Sequence, residues 1–176
     1  MTPRDPLPPL PGKPSQFRMI DVGEKTATRR RAVAMGRLHV GQEAWMALRD
    51  KALPKGDALA MAEVAGIMAA KNTANLLPLC HQLGLDVARI QCSCLQTDDG
   101  PVVEVHCEVV TTAKTGVEME ALCGATAALL TIYDLTKGID PALWISGVHL
   151  VRKQGGKSGD WWHPHFPEDR EGEAAR

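Results

Sequence analysis

The stretch Val87-Ala-Arg-Ile-Gln-Cys-Ser-Cys-Leu95, followed by Asp98-Asp-Gly-Pro101 and then Val103-Glu-Val-His-Cys-Glu-Val109, decides the fold. In the first run Ile90, Cys92 and Cys94 fall on one face and Arg89, Gln91 and Ser93 on the other. In the second, Val103, Val105, Cys107 and Val109 alternate with Glu104, His106 and Glu108. A period of two residues is that of a strand with one buried face. The acidic Gly-Pro segment between the runs reads as a hairpin turn. The result is an antiparallel pair with one apolar and one polar side.

Outward from the hairpin, each flank supplies a helical part and a strand. Upstream, Ala32 to Val40 alternates as a strand. Gln42 to Leu53 carries apolar residues at helical spacing until Pro54, and a second helical run extends from Asp57 to Lys71 with Asp57 as its N-cap. Leu76 to His81 is a loop interrupted by Pro78. Downstream, a long helix over Val117 to Lys137 precedes a last strand over Leu143 to Lys153. The order βαββαβ is the ferredoxin-like pattern of the α+β class, an antiparallel sheet with helices on one face. We divide the chain into a Pro-rich leader over 1–16, expected to be disordered, one domain over 17–160 and a C-terminal tail over 161–176.

Composition narrows the function classes. The formal net charge is -1, which by itself suggests neither nucleic acid nor anionic membrane. One Tyr and two Phe leave few platforms for stacking single-stranded bases. Five cysteines, an odd number without a secretory signal, indicate reduced thiols in a cytoplasmic protein. No apolar run approaches a bilayer's thickness. Arg29, Arg30 and Arg31 form a basic cluster that suits either a solvated face or phosphate recognition.

Two segments resemble phosphate loops, Ala113-Lys114-Thr115-Gly116 and Gly155-Gly156-Lys157-Ser158-Gly159. Neither has the leading glycine of a Walker A loop, so neither is one. Backbone amides beside a lysine still suit an oxyanion, and a flexible loop with a solvated lysine is the plainer alternative. The cysteines lack paired zinc spacing, and no metal is expected. Cys80-His81 places an imidazole next to a thiol in a loop, a plausible contact for a polar ring or a moving proton. In the long helix Glu118 and Glu120 occupy the first turn, where the dipole tolerates anions, and point in different directions, so one of them at a time is expected to face a pocket. Asp134 and Lys137 share a face near its other end. They form either an exposed ion pair or a carboxylate that fixes a catalytic ammonium. At 1.5 Å per residue the two groups lie roughly 20 Å apart, so either a long substrate spans the helix or a symmetry-related chain supplies one end, which would put the site at a subunit interface.

The order and spacing of several motifs resemble the cyclic pyranopterin monophosphate synthase family of molybdenum-cofactor biosynthesis. The motifs are Met19 to Val22, Lys55-Gly56-Asp57, Ala65 to Lys71, Leu79-Cys80-His81, Lys114 to Leu122, Ala128 to Asp134 and Gly156 to Asp160. The resemblance implies a ferredoxin-like fold and conversion of the 3′,8-cyclo-7,8-dihydro derivative of GTP to cyclic pyranopterin monophosphate with release of diphosphate. It implies no cofactor and a homohexamer, a trimer of dimers with the site at a dimer interface. By motif, Lys55, Asp134 and Lys137 correspond to catalytic residues. Leu79, Cys80, His81, Glu118, Met119 and Glu120 correspond to substrate contacts, and Lys71, Lys153 and Lys157 to phosphate contacts.

The chain departs from the family at Gln82, where proline is usual, at Thr73-Ala74-Asn75 and at Glu63. These changes motivate one alternative, an inactive nucleotide-binding relative. Another is a scaffold, whose marker would be Asp134 and Lys137 exposed and remote from any cleft.

Overall fold

The computed structural model describes residues 17–157 and 159–165. The leader over 1–16 and most of the tail lie outside them. Nine elements follow in chain order: β1 (Thr28–His39), α1 (Gln42–Arg49), α2 (Ala58–Lys71), α3 (Thr73–Leu76), β2 (Val87–Thr97), β3 (Gly100–Ala113), α4 (Glu118–Thr136), β4 (Trp144–Gln154) and β5 (Trp161–Trp162). The sheet order is β2-β3-β1-β4-β5 with every neighbouring pair antiparallel. The first four strands and the helices α2 and α4 make the expected α+β, ferredoxin-like arrangement. The short α3 and the two-residue β5 are additions to it.

The alternation in the opening stretch sorts the sheet faces. Val103, Val105, Cys107 and Val109 are fully buried against the helices with Ala32, Ala34 and Leu38 of β1. The opposite face carries ion pairs instead. Glu108 meets Arg31 at 2.5 Å and Arg89 at 3.5 Å. Glu104 meets Arg37 at 2.7 Å and His106 at 2.9 Å, and this pairing, His106 first, holds its carboxyl below the ordinary range. Met35 is 2% exposed among these charges.

With few aromatics, the helices meet the sheet and each other through small residues. Ala58, Ala62, Gly66 and Ala70 recur every fourth position on the buried side of α2. The helices cross where Gly66 meets Gly124. A Cβ on Gly124 would stand 2.5 Å from Cys107 Sγ and 3.2 Å from the Gly66 carbonyl.

Boundaries differ from the sequence reading in several places, three of them with a plain physical cause. Strand β1 begins at Thr28 because Thr28 to Arg31 pair with Val110 to Ala113, a ladder that an arginine run does not announce. Helix α1 ends at Arg49 because Lys51 takes a left-handed φ of 56°. Leu53 is nevertheless 6% exposed, so it extends the apolar period beyond the helix. The hairpin tip is Asp98-Asp99 alone, since Thr97 already pairs with Gly100.

Candidate functional site

Asp57 caps α2 by accepting from the Leu59 and Ala60 amides, both at 3.1 Å, which fixes the turn that carries Lys55. Lys55 Nζ then lies 3.9 Å from Asp134 Oδ2. One helical turn beyond Asp134, Lys137 Nζ donates to Asp134 Oδ1 at 2.7 Å. The three residues picked out by motif thus meet in one chain, at the C-terminal end of α4. Lys137, by hydrogen bond and by charge, and then Lys55 hold the Asp134 carboxyl below its usual range. Asp134 in turn raises Lys137, so the resting group is a carboxylate between ammonium ions. All three side chains are more than half exposed, and they line none of the cavities described below.

The other motif residues gather at the opposite end of α4. A cavity of about 230 Å³ is lined by Leu79, Cys80 and His81 of the loop and by Glu118, Met119 and Glu120 of the helix. Contrary to the sequence reading, both glutamates line it, because the cavity wraps around the helix start rather than facing one side. They differ in exposure. Glu118 is one-third exposed and lies 3.4 Å from Lys153 Nζ. Glu120 is 5% exposed, and burial first, then the charge of Glu118, pushes its carboxyl above the ordinary range. Burial likewise raises the Cys80 thiol, so Cys80 is not an activated nucleophile. His81 Nε2 lies 2.9 Å from the Ile20 carbonyl. A carbonyl oxygen only accepts, so Nε2 carries the proton in this contact.

Beside this cavity lies a larger one of about 660 Å³, lined by Asp21, Glu24, Lys25, Arg30, Gly156 and Lys157 among others. Gly156 has φ +80°, and a Cβ there would stand 1.7 Å from Arg30 Nη1, so only glycine lets the guanidinium in. Lys25 lines both cavities. Lys157 is marked in the sequence by its glycine-rich loop, whereas Arg30 sits in a basic cluster that suits two readings. Neither signal marks Lys25, which follows the matching run Met19 to Val22 by three residues. Lys71 ends α2, exposed, and lines neither cavity. The atypical Gln82 is exposed and also absent from both linings. Thr73 is buried and bonds back to the Ala69 and Ala70 carbonyls, so the unusual segment seals the end of α2.

Among the described residues no set of three His, Cys, Asp or Glu side chains is placed to hold a metal ion. No helix among them is long and apolar enough to cross a membrane.

Comparison with known proteins adds the following. The MoaC family model matches residues 19–156. The molybdenum cofactor biosynthesis bifunctional protein of Synechococcus elongatus is 48% identical over 151 residues, 86% of this chain and 47% of that protein, so the chain spans about half its length. Cyclic pyranopterin monophosphate synthase of Chloroflexus aurantiacus is 48% identical over 147 residues, 84% of this chain and 89% of that enzyme. The synthase of the same name from Clostridium botulinum is 48% identical over 143 residues, 81% of this chain and 89% of that enzyme.

Proposed function

Because the chain belongs to the MoaC family, we propose that it is a cyclic pyranopterin monophosphate synthase acting in molybdenum cofactor biosynthesis. In this reading it converts the 3′,8-cyclo-7,8-dihydro derivative of GTP to cyclic pyranopterin monophosphate and diphosphate, as a lyase working by lysine and aspartate acid–base chemistry in the cytoplasm. The observation that carries the reading is the gathering of the motif residues into two clusters, Lys55–Asp134–Lys137 and the cavity of His81, Glu118 and Glu120, at opposite ends of one helix.

Each cluster suits one part of the reaction. The fused-ring portion of the substrate suits the smaller cavity, where His81 and the glutamates offer polar groups to a heterocycle. The polyphosphate suits the neighbouring basic cavity, where Lys25, Arg30 and Lys157 supply positive charge. Lys137, kept protonated by Asp134, serves as a proton donor to a ring nitrogen during opening of the purine. Asp134 holds that ammonium in place.

The Lys–Asp–Lys group lies exposed at the far end of α4, which within a single chain also matches the marker of a scaffold. We propose that a second copy brings this group over the ring cavity, in a homo-oligomer built from dimers and of hexameric size. Excluding water there would strengthen the electrostatic interactions inside the site.

The test supplies verified cyclised GTP substrate to the pure protein and follows pterin fluorescence after oxidation. Product is expected, and Lys55→Ala or Lys137→Ala should lower turnover at least a hundredfold while leaving oligomer size unchanged. Absence of product with wild-type protein would remove the reading, and near-normal rates in both variants would remove these residues from the mechanism.

A further inference from the structure

Residues 20–25 run between the two cavities. Ile20 and Val22 line the smaller one, Asp21 and Glu24 the larger, and Lys25 both. The segment belongs to no strand or helix. It has its own turn, with Gly23 N donating to Asp21 Oδ1 at 2.7 Å and Lys25 N to Val22 O at 3.1 Å. Two side chains from elsewhere grip its backbone. His81 donates to Ile20 O at 2.9 Å, and Lys114 Nζ donates to Gly23 O at 2.5 Å.

The sheet explains why Lys114 can reach. Thr28, the first residue of β1, pairs with Ala113, the last residue of β3, so the chain before one and the chain after the other leave the sheet side by side. Lys114 lines neither cavity, yet it spends its ammonium on a neutral carbonyl two residues from Lys25. A charge-assisted bond to a backbone carbonyl is stronger than a neutral one and sets the position of what it holds.

We propose that residues 20–25 are a partition wall between the ring and polyphosphate cavities, and that Lys114 is a positioning residue acting through Lys25. Held at Gly23, the wall keeps Lys25 where one ammonium serves both compartments. This location of the substrate rests on the synthase reading above. The placement of the wall does not.

A double-mutant cycle with a second, activity-free readout tests it. Lys114→Met should raise KM about tenfold, the size expected for loss of one charge-assisted bond, with kcat changed less than about twofold. Lys114→Arg, which can still donate to Gly23 O, should recover most of the affinity. In a Lys25→Ala background, Lys114→Met should add less than about twofold, because residues acting in series are not additive. Full effects in both backgrounds would mean that Lys114 meets the substrate directly and would overturn the proposal. Hydrogen exchange at the Gly23 and Lys25 amides should speed up in Lys114→Met. Unchanged exchange in an active enzyme would overturn the wall alone. Faster exchange in a protein that makes no product would sustain the wall and overturn the synthase reading with the KM expectation that depends on it.

Discussion

Glu120 is the residue whose environment conflicts most with its chemistry. It is 5% exposed, and burial raises its carboxyl above the ordinary value of 4.5. A raised carboxyl pKa means the folded state holds its proton more tightly than the unfolded state does. Stability from this group is therefore complete below about pH 4.5 and declines as pH rises through the folded value. Glu120→Gln removes that titration and keeps the shape, so thermal unfolding should show the variant gaining on wild type more at pH 7 than at pH 4. An equal gain at both would mean that folding leaves the Glu120 carboxyl unshifted, and a smaller gain at pH 7 would mean that Glu120 is stabilised as the anion. Glu120 is legible by motif but the conflict is not, because the first turn of α4 shares a cavity with the Leu79-Cys80-His81 loop, which is far from it in the sequence. Lys25 and Arg30 were hidden for a related reason. Their importance comes from two segments, the wall and the Gly155-Gly156 turn, that carry no periodicity and meet only in the folded chain.

Among the elements, the hairpin strands and α4 were legible because alternation and helical spacing report burial directly. The end of α1 was not, since Leu53 continues the apolar rhythm after the backbone has turned at Lys51. The contact between α2 and α4 was equally silent, because a glycine in a helical run marks only a weak preference until its neighbour is known. At that contact Gly124→Ala would place a methyl 2.5 Å from Cys107 Sγ. Thermal or urea unfolding should show a loss of about 1–3 kcal/mol, the usual cost of overfilling a packed core. Adding Cys107→Ala should return part of it, since the clashing sulfur is gone. If the double variant is no better than the sum of the singles, the strain lies in the Gly66 carbonyl instead, 3.2 Å away.

For the whole molecule, the proposed function requires two clusters at opposite ends of one helix to serve one substrate. The apolar side chains of Met61, Val64 and Met68 stay exposed along α2, which agrees with a surface for another copy. If each site combines two chains, Lys55→Ala and His81→Ala damage different halves. Mixing the two inactive proteins after dissociation should restore up to about a quarter of wild-type activity, because half of random dimers are mixed and each carries one intact site of two. No recovery from a mixture shown to have exchanged subunits would place the whole reaction within a single chain. The length of α4 then acquires a meaning that no single side chain shows. Its 19 residues form the spacer between the clusters. Inserting one residue between Glu120 and Asp134 would lengthen the helix by about 1.5 Å and swing the far cluster by about 100°. On the proposed mechanism, substitutions along its exposed side should leave the chemistry untouched, whereas a gain or loss of even one residue would aim the proposed acid away from the ring. That mechanism would leave drift free in composition along the exposed side of the helix and closed in length.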